Sequence, residues 1–571
     1  MGVIREDGLV SWPDHLAESY RINGYWQGRT FAQEIESWAA RDSAKVALID
    51  SKHRFSYGDL ASRSATAACR LRSLGLCRGE RILVQLPNRW ELVMLTLACW
   101  RAGMVPVMAL PAHRRHELSH VAALGEVSAI ATSDHYRGFD HQRLAFDVAA
   151  EISSVRHVLI AGGSAQPGAT SLSSLLAAEA NRQYRASSEL VEPSLGEVSS
   201  QDIALFLLSG GTTGLPKLIP RTHDDYLYNA RCCAEATGIT SSSVYLVVLP
   251  ASHNFPLACP GILGTFHAGG TVVLVDSPEP SSAFEAIKSN GVTHTAVVPA
   301  IAKRWMEAVT PATTSMLESL LVLQVGGARI ADDLARQVKP SLGCTLQQVF
   351  GMAEGLINMT RLDDPEDIIC ATQGRPVSPA DEIAVVDGDT APVPEGRAGM
   401  LITRGPYTLR GYYRAPEANA SSFTTQGWYR SGDIVRLHPS GNLVVEGRDK
   451  DIINRGGEKI SAEEVENFAY QHPSVTLAAA VAAPDPDLGE RIWIYVTLRA
   501  GTTITLDELK AIMETKGAAR FKMPERLVVL PELPVTAVGK IDKRQLRMDA
   551  ATRVTNQSNI ETAQTIERNS P

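Results

Sequence analysis

Short apolar runs alternate with helical patterns along most of this chain, and that alternation limits the fold more than any other feature. The runs cover residues 81–86, 158–160, 203–208, 244–249, 271–275 and 320–325. Helical patterns lie between them, for example at residues 90–100 and 331–339. Apolar runs without polar alternation are typical of strands buried on both faces, and helices between such strands cover a parallel sheet. The sequence therefore predicts an α/β fold rich in parallel strands.

The character of the chain changes near residues 448–451. Beyond that point, Ser461-x-x-Glu464 and Thr505-x-x-Glu508 are capping-box patterns that predict two helix starts. Two strand-like runs, at residues 477–483 and 492–498, lie between them. We therefore divide the chain into a large N-terminal part, residues 1–449, and a compact α+β domain, residues 450–549. The polar tail, residues 550–571, is predicted to be disordered.

Composition excludes several functional classes. The 571 residues carry a net charge of -8, so the sequence predicts no binding of nucleic acid and no attraction to an anionic membrane. The eight cysteines form no Cys-x-x-Cys pair, which argues against a disulfide scaffold or a zinc site and favours a cytoplasmic location. The longest apolar stretch, residues 92–110, is interrupted by Arg101. It predicts a helix followed by a strand, with no membrane insertion.

A glycine- and threonine-rich segment follows the apolar run at residues 203–208. Its glycines allow a tight turn that presents N–H groups to an anion, while hydroxyl groups and a lysine add donors and charge. The polar and glycine positions are Ser209, Gly210, Gly211, Thr212, Thr213 and Lys217. A Walker A loop is excluded because Pro216 precedes the lysine and Leu218 follows it. The segment predicts a phosphate-binding loop of another type, with a flexible surface loop as the alternative.

Five separated segments together resemble the adenylate-forming superfamily, which contains acyl-CoA synthetases, nonribosomal adenylation domains and luciferases. They are residues 209–217, 351–354 (Gly-Met-Ala-Glu), 429–433 (Tyr-Arg-Ser-Gly-Asp), 447–459 and 535–540. Their order and spacing resemble the family over roughly residues 20–547. The resemblance implies a large N-terminal domain of sheets and helices with a distorted β-barrel. It also implies a small mobile C-terminal domain that rotates about a hinge at Lys450.

Members of this superfamily join a carboxylic acid to ATP, release pyrophosphate and retain an acyl-adenylate. The resemblance implies catalytic roles for Lys540, His253 and Glu354. Lys540 would bridge the reacting carboxylate and the α-phosphate. Glu354 would also bind Mg²⁺, a cation that keeps waters and substrate phosphates among its ligands. The implied cofactors are ATP and Mg²⁺, and a solvated loop acid and an exposed lysine are the alternative interpretations of the two charged positions.

The same resemblance implies a nucleotide site built from several segments. Asp433 would accept hydrogen bonds from both ribose hydroxyls, which suits a carboxylate because it offers only acceptors. Arg448 would assist at the ribose or the phosphates. The implied ATP- and AMP-binding residues are Ser209, Gly210, Gly211, Thr212, Thr213, Lys217, Gly326, Gly327, Ala328, Val349, Phe350, Gly351, Asp433 and Arg448.

Three stretches, residues 249–261, 346–355 and 403–413, resemble a narrower group, the stand-alone siderophore enzymes that adenylate aryl acids. Amino-acid-activating domains have an aspartate at the place of Asn254, where it pairs with the substrate ammonium. A neutral amide suits an aryl acid with a 2-hydroxyl, to which it can donate or accept. The implied aryl-acid-binding residues are Asn254, Phe255, Cys259, Gly327, Val349 and Ile357.

Two of these positions refine the expected substrate. Enzymes specific for 2,3-dihydroxybenzoate usually have serine at the place of Cys259 and valine at the place of Ile357. A thiol is larger than the serine hydroxyl and forms only weak hydrogen bonds. Burying an unpaired 3-hydroxyl beside it would cost on the order of 1–3 kcal/mol. The two residues therefore resemble those of salicylate-specific members. A 2,3-dihydroxybenzoate ligase, an aryl-CoA synthetase and a non-catalytic nucleotide- or aryl-acid-binding protein stay as alternatives.

The acceptor of the acyl group is expected to be a separate molecule. No phosphopantetheine attachment motif follows Lys540, so the sequence favours the pantetheine thiol of a separate aryl carrier protein, or else coenzyme A. The resemblance implies that Gly456 and Gly457 leave room for the pantetheine arm. The expected function is loading of salicylate for the synthesis of a siderophore or a related aryl-capped peptide.

Overall fold

The computed structural model describes residues 7–163, 165–178, 198–209, 215–388, 391–455, 458–516, 518, 520–536 and 539–568. Within these ranges the chain forms five sheets and a set of covering helices. None of the helices found there has the length and apolarity that crossing a bilayer requires.

The strands are short and are spread over almost the whole chain. In chain order they are β1 (Val46–Ile49), β2 (Arg54–Ser56), β3 (Arg81–Gln85), β4 (Val105–Met108), β5 (Val127–Ser133), β6 (His135–Tyr136), β7 (Phe139–Asp140), β8 (His157–Ala161), β9 (Ala169–Ser171), β10 (Ile203–Leu208), β11 (Leu218–Thr222), β12 (Val244–Val247), β13 (Thr271–Leu274), β14 (His294–Val297), β15 (Val322–Gly326), β16 (Thr345–Gly351), β17 (Ile357–Met359), β18 (Arg375–Pro376), β19 (Glu382–Val386), β20 (Gly399–Arg404), β21 (Tyr429–Leu437), β22 (Leu443–Arg448), β23 (Ile452–Arg455), β24 (Glu458–Ser461), β25 (Val475–Asp485), β26 (Gly489–Leu498) and β27 (Arg526–Val529).

Helices occupy many of the connections between these strands. In chain order they are α1 (Asp14–Ile22), α2 (Phe31–Arg41), α3 (Tyr57–Ser73), α4 (Trp90–Ala102), α5 (Arg115–Leu124), α6 (His141–Glu151), α7 (Leu172–Leu175), α8 (His223–Thr237), α9 (Asn254–Ala258), α10 (Gly261–Ala268), α11 (Pro280–Asn290), α12 (Pro299–Glu307), α13 (Asp332–Leu342), α14 (Glu366–Ala371), α15 (Pro416–Ser422), α16 (Ala462–Tyr470), α17 (Leu506–Thr515) and α18 (Lys543–Arg568). Three 3₁₀ turns, Thr314–Met316, Asp449–Asp451 and Arg520–Lys522, complete the set.

Two large sheets, mostly parallel, form the N-terminal part. The first has the order β11-β10-β4-β3-β5-β8-β9, and only the β10–β11 pair is antiparallel. The second has the order β18-β17-β16-β15-β14-β12-β13-β1-β2, with antiparallel strands at its two ends. Every residue of α4 except Arg101 is buried, as expected for a helix that is apolar on all sides. The predicted α/β class, and the helix followed by a strand at residues 92–110, are confirmed.

The third sheet differs from the expectation. The strands β19, β20, β21 and β22 pair in that order as an antiparallel sheet, and β19 does not pair with β22. No closed barrel is formed by the part of the chain that the structure describes, so the distorted β-barrel was wrong. One face of this open sheet is instead covered by its own cluster, in which Leu356 packs with Leu401, Val435 and Leu443.

The C-terminal sheet has the order β24-β23-β26-β25, with β27 added beside β26. Alternate residues of β25 and β26 face opposite sides, which is the period of a strand covered on both faces. Ala480 and Ile494 pack with the helices α16 and α17, whereas Val481 and Tyr495 pack with α18. Both predicted caps begin helices: Ser461 Oγ accepts from Glu464 N–H, and Thr505 forms a complete capping box with Glu508.

The polar tail from residue 550 is helical in the part that the structure describes. Helix α18 continues as far as Arg568. Its first turns are held because Leu546 and Ala550 are buried against the C-terminal sheet, with exposed fractions of 2% and 0%. The polar composition of the tail concealed this short apolar face. Upstream, α7 (Leu172–Leu175) is the last helix before residues 179–197, which lie outside the described ranges.

Candidate functional site

The predicted site residues gather at one edge of the larger N-terminal sheet. Strands β12, β15 and β16 belong to the parallel part of that sheet, and each is followed by a segment that carries site residues. Carboxyl ends of parallel strands meet at the same edge, where ligands of open α/β sheets bind. The segments at the carboxyl ends of these strands contain residues 249–259, 326–328 and 351–354. Strand topology thus explains how segments far apart in sequence form one site.

The ends of the predicted phosphate loop are joined at its base. Ser209 N–H donates to the Lys217 carbonyl at 3.0 Å, and Lys217 N–H donates to Ser209 Oγ at 3.0 Å. The Lys217 ammonium lies 5.0 Å from the centre of the Tyr412 ring. Gly210, Gly211, Thr212 and Thr213 lie outside the described residues. The strand β11 begins directly after Lys217, as expected from the exclusion of a Walker A helix.

Glu354 is held by a tyrosine that sequence analysis did not assign. The Tyr412 hydroxyl donates to Glu354 Oε1 at 3.0 Å and lies 3.0 Å from the Tyr429 hydroxyl. The Glu354 carbonyl accepts from Leu409 N–H at 2.8 Å. Burial, followed by the Glu354 charge, raises the pKa of Tyr412 far above its ordinary value, so its hydroxyl stays a donor. The signal was available, since Tyr412 lies within the stretch at residues 403–413 that resembles the family.

The predicted ribose contacts, Asp433 and Arg448, are direct partners across β21 and β22. Arg448 Nε lies 3.0 Å from Asp433 Oδ1, with the carboxylate buried and the guanidinium half-exposed. Burial raises the pKa of Asp433, and the Asp433 charge raises the pKa of Arg448. A carboxylate has about four acceptor positions, so one contact with arginine leaves acceptors for two hydroxyl groups.

The three-residue segment Gly326-Gly327-Ala328 has no room for larger side chains at its first two positions. A Cβ on Gly326 would lie 2.8 Å from the Val349 carbonyl oxygen and 2.9 Å from Phe255 Cε1. Gly327 has a φ of +83°, which favours glycine, and a Cβ there would lie 3.2 Å from Lys540 Cε. The structure therefore brings Gly326, Gly327, Val349 and Phe255 together. Ala328 and Gly351 are exposed at the rim, and Phe350 is half-buried.

Lys540 reaches this edge from the C-terminal domain. Lys540 N–H donates to Thr536 Oγ1 at 3.2 Å, and the Lys540 carbonyl accepts from Thr536 N–H at 2.6 Å, which closes a turn. Burial, with the Arg448 charge nearby, lowers the pKa of Lys540 to about 8. An ammonium group in this place is ready to contact anionic groups, because its own charge is poorly solvated.

His253 caps the helix α9 and faces the same region. Its Nδ1 accepts from Phe255 N–H at 3.2 Å, which leaves the ring proton on Nε2. Burial, and then the Lys540 charge, lower the pKa of His253 to about 3. The imidazole is therefore neutral at physiological pH and can donate one hydrogen bond from Nε2.

The predicted aryl-acid residues line the same side of the sheet. Asn254 Oδ1 accepts from the Tyr226 hydroxyl at 2.9 Å, and Asn254 Nδ2 lies 3.4 Å from Cys259 Sγ. Ile357 pairs with Gly351 across β16 and β17, and a Cβ on Gly351 would lie 2.5 Å from Ile357 Cδ1. Asn254, Cys259 and Ile357 are all buried. Sequence analysis missed Tyr226, whose position on α8 gave no motif signal.

The hinge and tunnel predictions are only partly covered by the described residues. Lys450 lies in the 3₁₀ turn Asp449–Asp451, between β22 and β23. Gly456 and Gly457 lie outside the described ranges. The C-terminal domain also contacts α12 of the N-terminal part: Lys303 Nζ donates to the carbonyls of Val475 at 2.9 Å and Thr476 at 2.8 Å. The sequence did not reveal this contact between the two parts of the chain.

The donor set fits a magnesium ion that is held mostly by a substrate. Among the described residues there is no group of three or more histidine, cysteine, aspartate or glutamate side chains that could hold a metal. Glu354 supplies a single carboxylate at the edge where phosphates would lie. Mg²⁺ in such sites typically takes one or two carboxylates, several waters and substrate phosphates. The residues present therefore suit that ion.

Taken together, the parallel sheets, the buried Asp433 carboxylate and a lysine delivered by a small second domain fit an enzyme that activates carboxylic acids with ATP. Residues 35–413 match the family model described as AMP-binding enzyme, and residues 464–540 match the model described as AMP-binding enzyme C-terminal domain. The chain belongs to the AMP-binding enzyme family, as its motifs predicted.

Its relatives match along nearly their full length. A salicylyl-CoA synthase / salicylate adenylyltransferase of a Streptomyces species is 56% identical, over 95% of this chain and 97% of the relative. A salicyl-AMP ligase / salicyl-S-ArCP synthetase of Mycobacterium tuberculosis is 45% identical, over 94% of each chain. The apo structure of MbtA from Mycobacterium smegmatis superposes with a TM-score of 0.72 at 44% identity, covering 95% of this chain and 98% of that one.

Proposed function

We propose that this enzyme joins salicylate to ATP, forming salicyl-AMP and pyrophosphate, and then transfers the salicyl group to the pantetheine thiol of a separate aryl carrier protein. The observation that carries the proposal is the burial of Asn254, Cys259 and Ile357, with Asn254 Nδ2 3.4 Å from Cys259 Sγ, while Lys540 lies over Gly327. The two salicylate-handling relatives support the choice of acid. Production of a siderophore or a related aryl-capped peptide is the expected use of the product.

In the first half-reaction the carboxylate of salicylate attacks the α-phosphorus of ATP, and pyrophosphate leaves. Both reactants are anions, so the site must neutralise charge and hold them in line. Lys540 would contact the carboxylate and the α-phosphate, and Asp433 would hold the ribose. Mg²⁺, bound through Glu354, would neutralise charge on the phosphates.

The pocket chemistry favours a single ring hydroxyl. Asn254 offers an amide to a 2-hydroxyl, whereas Cys259 offers only a thiol, which forms weak hydrogen bonds. A 3-hydroxyl buried beside the thiol would lack a good partner, at a cost of about 1–3 kcal/mol. The neutral His253 adds no charge that could attract a second acidic or amino substituent.

The decisive test of this function is substrate-dependent ATP–pyrophosphate exchange over a panel of aryl acids. Salicylate is expected to support the fastest exchange, 2,3-dihydroxybenzoate slower exchange and benzoate little, because benzoate leaves Asn254 without a partner. Fastest exchange with 2,3-dihydroxybenzoate would overturn salicylate and retain the aryl-acid ligase. Absence of exchange with every aryl acid would favour a non-catalytic binding protein.

A specificity prediction follows from the pocket. Wild-type enzyme should prefer salicylate to 2,3-dihydroxybenzoate by roughly 100-fold, since a mostly apolar pocket rejects an added hydroxyl only weakly. Cys259→Ser with Ile357→Val should move the kcat/KM ratio toward 2,3-dihydroxybenzoate by adding space and a hydrogen-bonding group. Both acids are measured in the wild type, each single variant and the double variant. An unchanged ratio in all three variants would contradict the assignment of these residues to the ring 3-position.

The second half-reaction calls for an acceptor thiol. The Mycobacterium tuberculosis relative is named for an aryl carrier protein and the Streptomyces relative for coenzyme A. We favour the carrier protein because residues 249–261, 346–355 and 403–413 resemble those of stand-alone siderophore enzymes that adenylate aryl acids. Parallel assays of salicyl transfer to a carrier protein and to coenzyme A decide between the two acceptors.

A hinge prediction accompanies this step. Lys450→Pro would lock φ at about −65°, close to the value of the 3₁₀ turn that Lys450 occupies, so the orientation with Lys540 in place should persist. Adenylation should survive, whereas thioester formation should fall much further. Lys450→Ala, which keeps the backbone free, is the control. Equal losses in both half-reactions of the proline variant would argue against domain rotation at this position.

A further inference from the structure

Tyr226 is a buried residue that contacts the candidate aryl-acid pocket but has no role in the function proposed above. It lies on α8, and its side chain is fully buried against Phe31 and under the Arg221 guanidinium, which lies 4.6 Å from the ring centre. Its hydroxyl donates to Asn254 Oδ1 at 2.9 Å. In the described part of the chain, this is the one hydrogen bond that the hydroxyl makes.

The direction of this bond follows from hydrogen counting. Burial raises the pKa of Tyr226 well above its ordinary value, so the phenol keeps its proton and must place it on an acceptor. Asn254 Oδ1 accepts it, which turns the amide nitrogen away from the ring. With the amide reversed, the phenol would face an N–H group and its own proton would have no acceptor among the described residues.

The fixed amide turns its oxygen toward Tyr226 and leaves its N–H donors for other partners. One N–H of Asn254 Nδ2 points to Cys259 Sγ, a weak acceptor at 3.4 Å, and the other has no partner in the described residues. A planar amide can offer either oxygen or nitrogen to a ligand, and only a second partner decides which one. Here that second partner is Tyr226, so the ligand must bring an acceptor.

Resting on the proposed function, we propose that Tyr226 is a positioning residue that holds Asn254 as a hydrogen-bond donor and so selects aryl acids with an acceptor at the 2-position over those with a donor. The 2-hydroxyl of salicylate gives its proton to its own carboxylate and keeps oxygen lone pairs for Asn254. The 2-amino group of anthranilate gives one proton to its carboxylate and turns the second toward Asn254. Two donors then face each other, and neither has an acceptor.

The test measures kcat/KM for salicylate and anthranilate by ATP–pyrophosphate exchange in two matched variants. Tyr226→Phe keeps the ring and removes the hydroxyl, which frees Asn254 to reverse. Tyr228→Phe makes the same change two residues along α8, where the hydroxyl lies 2.7 Å from Ser378 Oγ. Wild type should prefer salicylate by about 100-fold, and Tyr226→Phe should lower that ratio by roughly tenfold. Tyr228→Phe should leave the ratio unchanged.

An active Tyr226→Phe variant with the wild-type ratio would overturn the inference, as would an equal fall in the Tyr228→Phe variant. If Tyr226→Phe does not fold, the wild type alone decides. A donor facing a donor is worse than an empty position, so anthranilate should be a poorer substrate than benzoate. Anthranilate above benzoate overturns the role of Tyr226. Failure of the proposed function can be told apart from failure of this inference, because in that case salicylate itself supports no exchange in the wild type.

Discussion

Lys540→Ala should lower the rate of salicyl-AMP formation by about 100- to 1000-fold, the range found when one donor to developing charge is removed. Lys540 lies over Gly327 and would contact charge that grows as the carboxylate attacks. Such contacts alter the rate more than they alter binding, so the Kd for ATP should change little. Exchange kinetics and nucleotide binding measured on the same preparation separate the two quantities. Lys516→Ala, at an exposed lysine of the same domain, is the control and should keep wild-type rates.

The same residue predicts a pH dependence. The pKa of Lys540 is lowered to about 8 by burial and by Arg448, so the side chain is charged below that pH and neutral above it. Because kcat/KM reports ionisation in the free enzyme, adenylation should decline as the pH rises through about 8. His253, with a pKa of about 3, stays neutral over this pH range, so its ionisation does not affect the pH–rate profile there. A profile that is flat to pH 10, or wild-type exchange in Lys540→Ala, would contradict the role of Lys540.

Glu354→Gln should lower exchange by about 100-fold or more, since charge stabilisation at a metal-assisted centre is worth several kcal/mol. Glutamine keeps the shape and can still accept from Tyr412, so the fold should persist. It lacks the negative charge that Mg²⁺ requires from the protein. The variant should therefore need a higher Mg²⁺ concentration for half-maximal rate.

Two controls sharpen the Glu354 prediction. Glu366→Gln, at an exposed glutamate on α14, should leave both the rate and the Mg²⁺ requirement unchanged. Tyr412→Phe removes the hydrogen bond at 3.0 Å but keeps the carboxylate, so its effect should be smaller than that of Glu354→Gln. An unchanged Mg²⁺ requirement in Glu354→Gln would show that the ion is not bound there.

Several features could be predicted from the sequence because they are local. The strand at Ile203–Leu208 and the helix starts at Ser461 and Thr505 were predicted correctly, since apolar runs and caps act over a few residues. The family motifs also singled out Asp433 and Arg448, which the structure pairs across β21 and β22. Motif residues are recognisable because the chemistry of the nucleotide demands particular side chains at each place.

Other features depend on how distant segments meet. The strands β19 to β22 form an open antiparallel sheet in place of the expected barrel. Closure of a sheet into a barrel depends on which edge strands pair, and the composition of the strands does not decide this. The tail became a helix through contacts of Leu546 and Ala550 with β25 and β26. A polar composition predicts disorder only when no neighbouring surface covers the few apolar residues.

By itself, the sequence determined the class of fold and the order of the motifs, and it predicted which residue types would contact nucleotide and acid. The tertiary structure alone decided how those residues are oriented. Tyr226 reaches Asn254 across 28 residues, Tyr412 reaches Glu354 across 58, and Lys303 reaches Val475 across 172. Each of these contacts joins separate elements, and a hydrogen bond needs a distance and a direction that only packing of those elements supplies.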